Sequence, residues 1–335
     1  MEKRKPEEYA FLCSVVRSNE KKLMSKADLN RAVDAKTVQQ VMNVISEFGY
    51  GDGKELSNPR DFERVLRDNL DQAYDDIISA LPDKDTFDFM LLSADYHNLK
   101  VLLKSEFMGT EHDDLLIEGG TIPKEKLKEM LRERNFAFMS YEMKKGIKDV
   151  LETFPKEKDP QTIDIILDRA CMSDKCLKAK ELDNDFITGY IRRYIDISNI
   201  KTFIRLREMG KPWSFYQKVF IEGGFVSEKA LVTSWEEPYN QVAEKLAPFG
   251  FRELFSAGAS NMLTEGKFIR SEKIAENILM KYVKDAKYRS FGIEPAFGYL
   301  IAKETENTNL RVIFTGKIAN VPDSVTLERL MDTYV

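Results

Sequence analysis

Apolar residues recur at three- and four-residue spacing through most of this chain, the period that lines one face of an α-helix. The pattern predicts long amphipathic helices over Phe62–Ile78, Ile163–Leu182 and Glu272–Tyr288, each leading into a further helix with a shared motif. Nothing alternates with the strict period of two that demands a sheet. The exposed connections are expected at Lys156–Pro160 and Phe291–Pro295. The fold class read from this pattern is all-α.

The shared motif is an acid, two variable residues, Asn, an aliphatic, a base, one variable residue and two large apolar residues. It occurs at Asp95-Tyr-His-Asn98-Leu-Lys100, at Asp196-Ile-Ser-Asn199-Ile-Lys201 and at Glu306-Asn-Thr-Asn309-Leu-Arg311, with 101 and 110 residues between successive Asn positions. After the first two copies comes a glycine pair and a helix start: Ile117-Glu-Gly-Gly120 with Pro123-Lys-Glu-Lys-Leu127, and Ile221-Glu-Gly-Gly224 with Ser227-Glu-Lys-Ala-Leu231. Ser or Pro followed by an acid is a helix N-terminus signal. After the third copy the pattern survives as Gly316 and Pro322-Asp-Ser, only 13 residues beyond Asn309, so the third unit reads as abbreviated. The same helix start stands alone near the front, at Ser25-Lys-Ala-Asp-Leu29. The chain thus opens on the second half of a unit and closes on the first half of another. An open solenoid carries polar caps at its ends; a repeat cut in mid-unit implies ends that complete each other. The expected architecture is three similar helical subdomains in a pseudo-threefold funnel, with units near 55–155, 160–265 and 266–335, the last closed by 9–54.

On a helix at about 100° per residue, Tyr96, Leu99, Leu102 and Leu103 share one broad apolar side. Asp95 falls inside that side, Asn98 falls on its margin, and Lys100 and Lys104 lie roughly opposite. The other copies sort alike, with Ile200, Phe203 and Ile204, and with Leu310, Ile313 and Phe314. A buried carboxylate beside a buried amide requires partners, because an unsatisfied polar group inside is costly. The six residues Asp95, Asn98, Asp196, Asn199, Glu306 and Asn309 are therefore expected to hold structure together, through backbone amides or side chains of a neighbouring helix. Lys100, Lys201 and Arg311 are equivalent cations on the polar side, open to two readings: surface ion pairs, or a ring that grips an acidic partner.

Composition narrows the function. The formal net charge is −5, which lacks the electrostatic footprint of a nucleic-acid binder. Three cysteines, Cys13, Cys171 and Cys176, fit a reduced, cytosolic compartment. No segment reaches the ~18 to 20 unbroken apolar residues of a membrane span, and Phe11–Val16 is too short for a signal peptide. Gly49–Lys54 resembles a phosphate loop only in outline, since Phe48 and Glu55 stand where that loop needs Gly and Ser or Thr. His97 and His112 have no Cys or carboxylate at a recognisable ligand spacing, and His97 is expected to be exposed. Asp71, Asp75 and Asp76 form an acidic patch without the Asp-Asp-x-x-Asp order of isoprenoid-type synthases, and a solvated face explains it. No cofactor, metal or catalytic residue is expected.

The run Asp95-Tyr-His-Asn98-Leu-Lys100-Val-Leu-Leu-Lys104 resembles the signature of the C subunit of archaeal and bacterial A/V-type ATPases, related to the eukaryotic V-ATPase d subunit. Pro295-Ala-Phe-Gly-Tyr299 through Asn309-Leu-Arg311 and on to Tyr334 is similar to the family's C-terminal pattern, and Tyr9 to Tyr50 to its opening. The resemblance implies a funnel of three helical subdomains and a non-catalytic rotor role. It would receive the shaft made by the D and F subunits and rest on the membrane rotor ring at the cytoplasmic face. Torque would pass through it during ATP-coupled proton or sodium transport. The alternative is a free-standing helical scaffold for some other partner.

Overall fold

Ser25, Thr37, Ser140, Asp159, Asn184 and Ser227 each accept a hydrogen bond from a backbone amide in the turn that follows, and a helix begins after each. This is N-capping of otherwise orphaned amides. In the computed structural model, which describes residues 5–51, 58–265 and 269–335, the described chain is all-α. The first four helices are α1 (Ala10–Glu20), α2 (Lys26–Asp34), α3 (Val38–Ser46) and α4 (Phe62–Ala80). Then come α5 (Asp88–Met108), α6 (Lys124–Arg132), α7 (Tyr141–Glu157), α8 (Pro160–Glu181), α9 (Asp185–Glu208) and α10 (Trp213–Val219). The rest are α11 (Glu228–Thr233), α12 (Tyr239–Leu246), α13 (Arg252–Glu265), α14 (Ile269–Val283), α15 (Glu294–Ile318) and α16 (Asp323–Arg329).

The motif helices are α5, α9 and α15. Each is followed by a left-handed residue at the same distance from its Asn. The residue 11 positions on is Gly109, Gly210 or Asn320, and each is left-handed, with φ of 65°, 65° and 52°. Gly and Asn are the residues that tolerate this helix-ending conformation.

The chain divides into two compact units, 85–255 and 2–84 with 256–335. In the first, α5 lies against α8, and α7 runs along α8. Their core joins Tyr96, Leu99 and Leu103 of α5 to Leu127, Met143, Ile147, Ile163 and Leu167. Further along the same unit, α9 builds an aromatic core in which Phe203 meets Tyr216, Trp235 and Phe255 at centroid distances of 5.5, 4.9 and 5.8 Å.

In the second unit, α15 is the central helix. It contacts α1, α2, α3, α4, α14 and α16 and is buried along most of its length. Leu310, Ile313 and Phe314 meet Leu29, Val33, Val41 and Ile45, and Phe62 of α4 stacks on Phe314 at 4.6 Å. By packing, α4 goes with α15, the third motif helix, although it precedes the first in sequence. The expected connection at Lys156–Pro160 is shorter than anticipated: α7 runs to Glu157 and α8 starts at Pro160, turning through a left-handed Lys158.

Candidate functional site: three carboxylate–amide brackets

All six motif acids and amides are buried, none exposing more than 5% of its surface. Every one has partners, as buried polar groups require. The Asn98 side chain donates through Nδ2 to the Ile117 carbonyl and accepts the Ile117 amide at Oδ1, both at 2.9 Å. Asn199 does the same with Ile221 at 2.8 and 3.0 Å. Asn309 does the same with Met331 at 3.2 and 2.8 Å. One side-chain amide thus satisfies both backbone groups of one loop residue, which only Asn or Gln can do.

One helical turn earlier, the acid takes the next part of the loop. Asp95 accepts from the amides of Thr121 and Ile122 at 3.0 and 3.1 Å and from the Thr121 hydroxyl at 2.6 Å. Asp196 accepts from the amides of Phe225 and Val226 at 2.9 and 3.0 Å. Burial pushes both carboxyls above the usual Asp range, while these donors pull them back. The second glycine of each pair now has a reason. A Cβ on Gly120 would lie 2.1 Å from Asp95 Oδ1, and one on Gly224 would lie 2.1 Å from Asp196 Oδ1. Only glycine lets the loop come this close to the acid.

The third bracket draws its loop from two distant segments. Asn309 holds Met331, while Glu306 accepts the amide of Met24 at 2.5 Å, 282 positions away in sequence. Met24 stands before Ser25 as Ile122 stands before Pro123 and Val226 before Ser227. Glu306 also accepts from the Tyr50 hydroxyl at 2.6 Å and from the Lys303 ammonium at 2.8 Å. Lys303 is itself buried and lies 4.2 Å from the Tyr50 ring centre. Burial and the Glu306 charge push the Tyr50 phenol well above its ordinary value. Asn307 completes the cluster, its Oδ1 3.1 Å from the Tyr50 hydroxyl oxygen and its Nδ2 donating to the Leu66 carbonyl at 2.8 Å.

This geometry corrects the reading of the third unit as abbreviated. Pro322 opens α16, and it lies 13 residues after Asn309 as Pro212, which opens α10, lies 13 after Asn199. Its counterpart is therefore Pro212, not Ser227. Asn309 and Met331 are 22 apart, as are Asn199 and Ile221. The pair Met331-Asp332, echoing Ile117-Glu118 and Ile221-Glu222, was the available signal. Lys303 and Tyr50 were also missed. A base three residues before a buried acid was the legible clue to the first, and nothing local marks the second.

The cations fall unevenly. Lys100 pairs with Asp168 at 2.7 Å and Arg311 with Glu63 at 3.0 Å, each reaching the neighbouring long helix. Lys104 pairs with Asp164 at 2.7 Å. Lys201 is half-buried and forms no ion pair among the described residues. His97 is half-buried rather than exposed, with Nε2 2.9 Å from the Leu115 carbonyl. Asp76 accepts from Asn19 and Gln72 at 3.3 and 2.7 Å. Asp52, Gly53 and Lys54 of the glycine-rich stretch lie outside the described residues. The three cysteines are free. Among the described residues, no three His, Cys, Asp or Glu side chains stand together as metal ligands do, and no helix is long and apolar enough to cross a membrane. What these sites do chemically is hold: each fixes a loop to a helix through backbone groups.

The sequence model of the ATP synthase (C/AC39) subunit family matches residues 12–329, and the chain belongs to that family. It is 22% identical to the C subunit of the V-type sodium ATPase of Enterococcus hirae, over 98% of this chain and 99% of the relative. It is 23% identical to the C subunit of the A-type ATP synthase of Methanocaldococcus jannaschii, over 93% of this chain and 84% of the relative. The corresponding protein of Methanosphaera stadtmanae is 23% identical over 96% and 88%. Membership makes this chain a non-catalytic component of an A/V-type ATP synthase or ATPase.

Proposed function

We propose that the chain is the rotor socket of such a machine. It receives the shaft of the D and F subunits, rests on the membrane rotor ring at the cytoplasmic face, and passes torque between them for proton or sodium transport. The observation that carries this reading is the family match from residue 12 to residue 329. The brackets support it: each ties a long helix to its loop by backbone hydrogen bonds, a stiff construction suited to load. Three such units around one axis remain our proposal for the architecture. For the grip on the shaft, Lys201 is the best placed of the three equivalent cations, because Lys100 and Arg311 already hold Asp168 and Glu63.

The test is recovery of the tagged full chain from detergent-solubilised membranes, followed by its removal from the complex. Shaft and ring proteins should co-purify with it. Without it, the head should keep hydrolysing ATP while ATP-driven ion uptake is lost. Recovery of the chain alone, or ion uptake that survives its removal, would overturn the reading.

A further inference from the structure

The second bracket differs from the others at one position. Four residues before the motif acid, the first and third copies carry Leu91 and Ala302, and the second carries Arg192. The Arg192 guanidinium lies 4.0 Å from the Phe225 ring centre, and its Nη2 donates to the Gly224 carbonyl at 3.1 Å. A ring below and a carbonyl at one corner fix a flat cation in place. Neither Arg192 nor nearby Lys180 forms an ion pair among the described residues, whereas Lys100 and Lys104 on the first motif helix both do.

Arg192 and Lys180 line a recess of about 280 Å³ together with Cys176, Thr188, Gly223 and Gly224. No acid lines it. Asp196, the carboxylate whose charge reaches Arg192, is already taken up by the amides of Phe225 and Val226. Both cations act on the Cys176 thiol, which burial pushes up and they pull down, so they converge on the same space. The volume lies just below the range of about 300 to 1,000 Å³ usual for drug-sized ligands, which favours a small anion over a nucleotide.

We propose that this recess binds a small phosphate-class oxyanion between Lys180 and Arg192, with the Thr188 hydroxyl as a further donor. Planar guanidinium and ammonium together are the donors that phosphate oxygens take. Free phosphate and a phospholipid headgroup share this chemistry. The site goes beyond the socket reading and stands or falls independently of it.

Cys176 supplies the readout, since it is half-buried in the recess while Cys13 and Cys171 are buried elsewhere. Alkylation of Cys176 in the full chain by iodoacetamide, followed by mass spectrometry, is measured against inorganic phosphate, with sodium chloride at matched ionic strength as control. A second series uses phosphatidic acid vesicles, with phosphatidylcholine vesicles as control. Saturable protection by phosphate supports a free anion, and protection by phosphatidic acid alone supports a headgroup. In either series Lys180→Gln should weaken the midpoint about tenfold, equivalent to about 1.4 kcal/mol, and Arg192→Leu should abolish protection. Lys180 is exposed, so its variant keeps the test valid if Arg192→Leu fails to fold. Absence of protection by both probes, or equal protection in wild type and Lys180→Gln, overturns the proposal.

Discussion

The brackets at Asp95 and Asp196 do with one carboxylate and a continuous loop what the bracket at Glu306 does with a buried cluster. In the first two, the acid meets only neutral donors a few residues apart, and glycine brings them within reach. In the third, the acid is one methylene longer and gathers the Met24 amide, the Tyr50 hydroxyl and the buried Lys303 ammonium. The difference teaches what a broken loop requires. A contiguous loop is pre-assembled by its own chain, whereas segments far apart in sequence bring a larger closure entropy. Stronger, charge-assisted bonds offset it.

The largest effect is expected where the two kinds of bracket differ most. Glu306→Gln leaves Lys303 buried without its counter-charge and should destabilise the second unit by about 3 to 5 kcal/mol. Adding Lys303→Met should recover much of that loss, and urea unfolding of the single and double variants checks it. Full stability in Glu306→Gln would erase the distinction.

Gly224→Ala probes the contiguous design, because its Cβ would drive into Asp196 Oδ1. The expected loss is about 1 to 3 kcal/mol. Adding Asp196→Ala should abolish the clash and leave the two changes strongly non-additive. Strict additivity would show that the close approach does not matter.

The smallest and most diagnostic effect is on pH. Burial raises the Asp95 carboxyl above its ordinary 3.8, so the folded state holds this proton more tightly than the unfolded one. The stability linked to that proton is complete below 3.8 and is lost as pH rises through the folded value. Asp95→Asn removes this linkage along with a bracket acceptor. Its penalty, about 1 to 2 kcal/mol near neutrality, should therefore grow as the pH falls from neutrality through the folded value towards 3.8. A penalty that shrinks on acidification would mean that the amides of Thr121 and Ile122 outweigh burial.

Much of this was legible in the chain. The spacing of Leu99, Leu103 and their counterparts announced the motif helices, and Ser25 and Ser227 announced the caps, because those signals are local. Pro322 misled for the same reason: a Pro with an acid in the first turn after it stands before both α6 and α16. Only the bond from Asn309 to Met331 tells which helix corresponds to which. The partners of Lys100 and Arg311 lie 68 and 248 residues away, and helical periodicity carries no information about such distances. Asp95 and Asn98 could be assigned a buried, satisfied role, since burial of polar groups dictates it, but not the loop atoms that satisfy them.

The divided third loop also sets an order of events during synthesis. The α2 and α3 faces that carry Leu29, Val33, Val41 and Ile45 find their cover on α15, whose residues leave the ribosome some 260 positions later. At roughly 5 to 20 residues per second, the wait is on the order of tens of seconds. The segment 85–255 emerges in the meantime and closes its two brackets from contiguous chain. Until then these faces lack the part of their core that α15 supplies, which leaves apolar surface exposed on the nascent N-terminal helices.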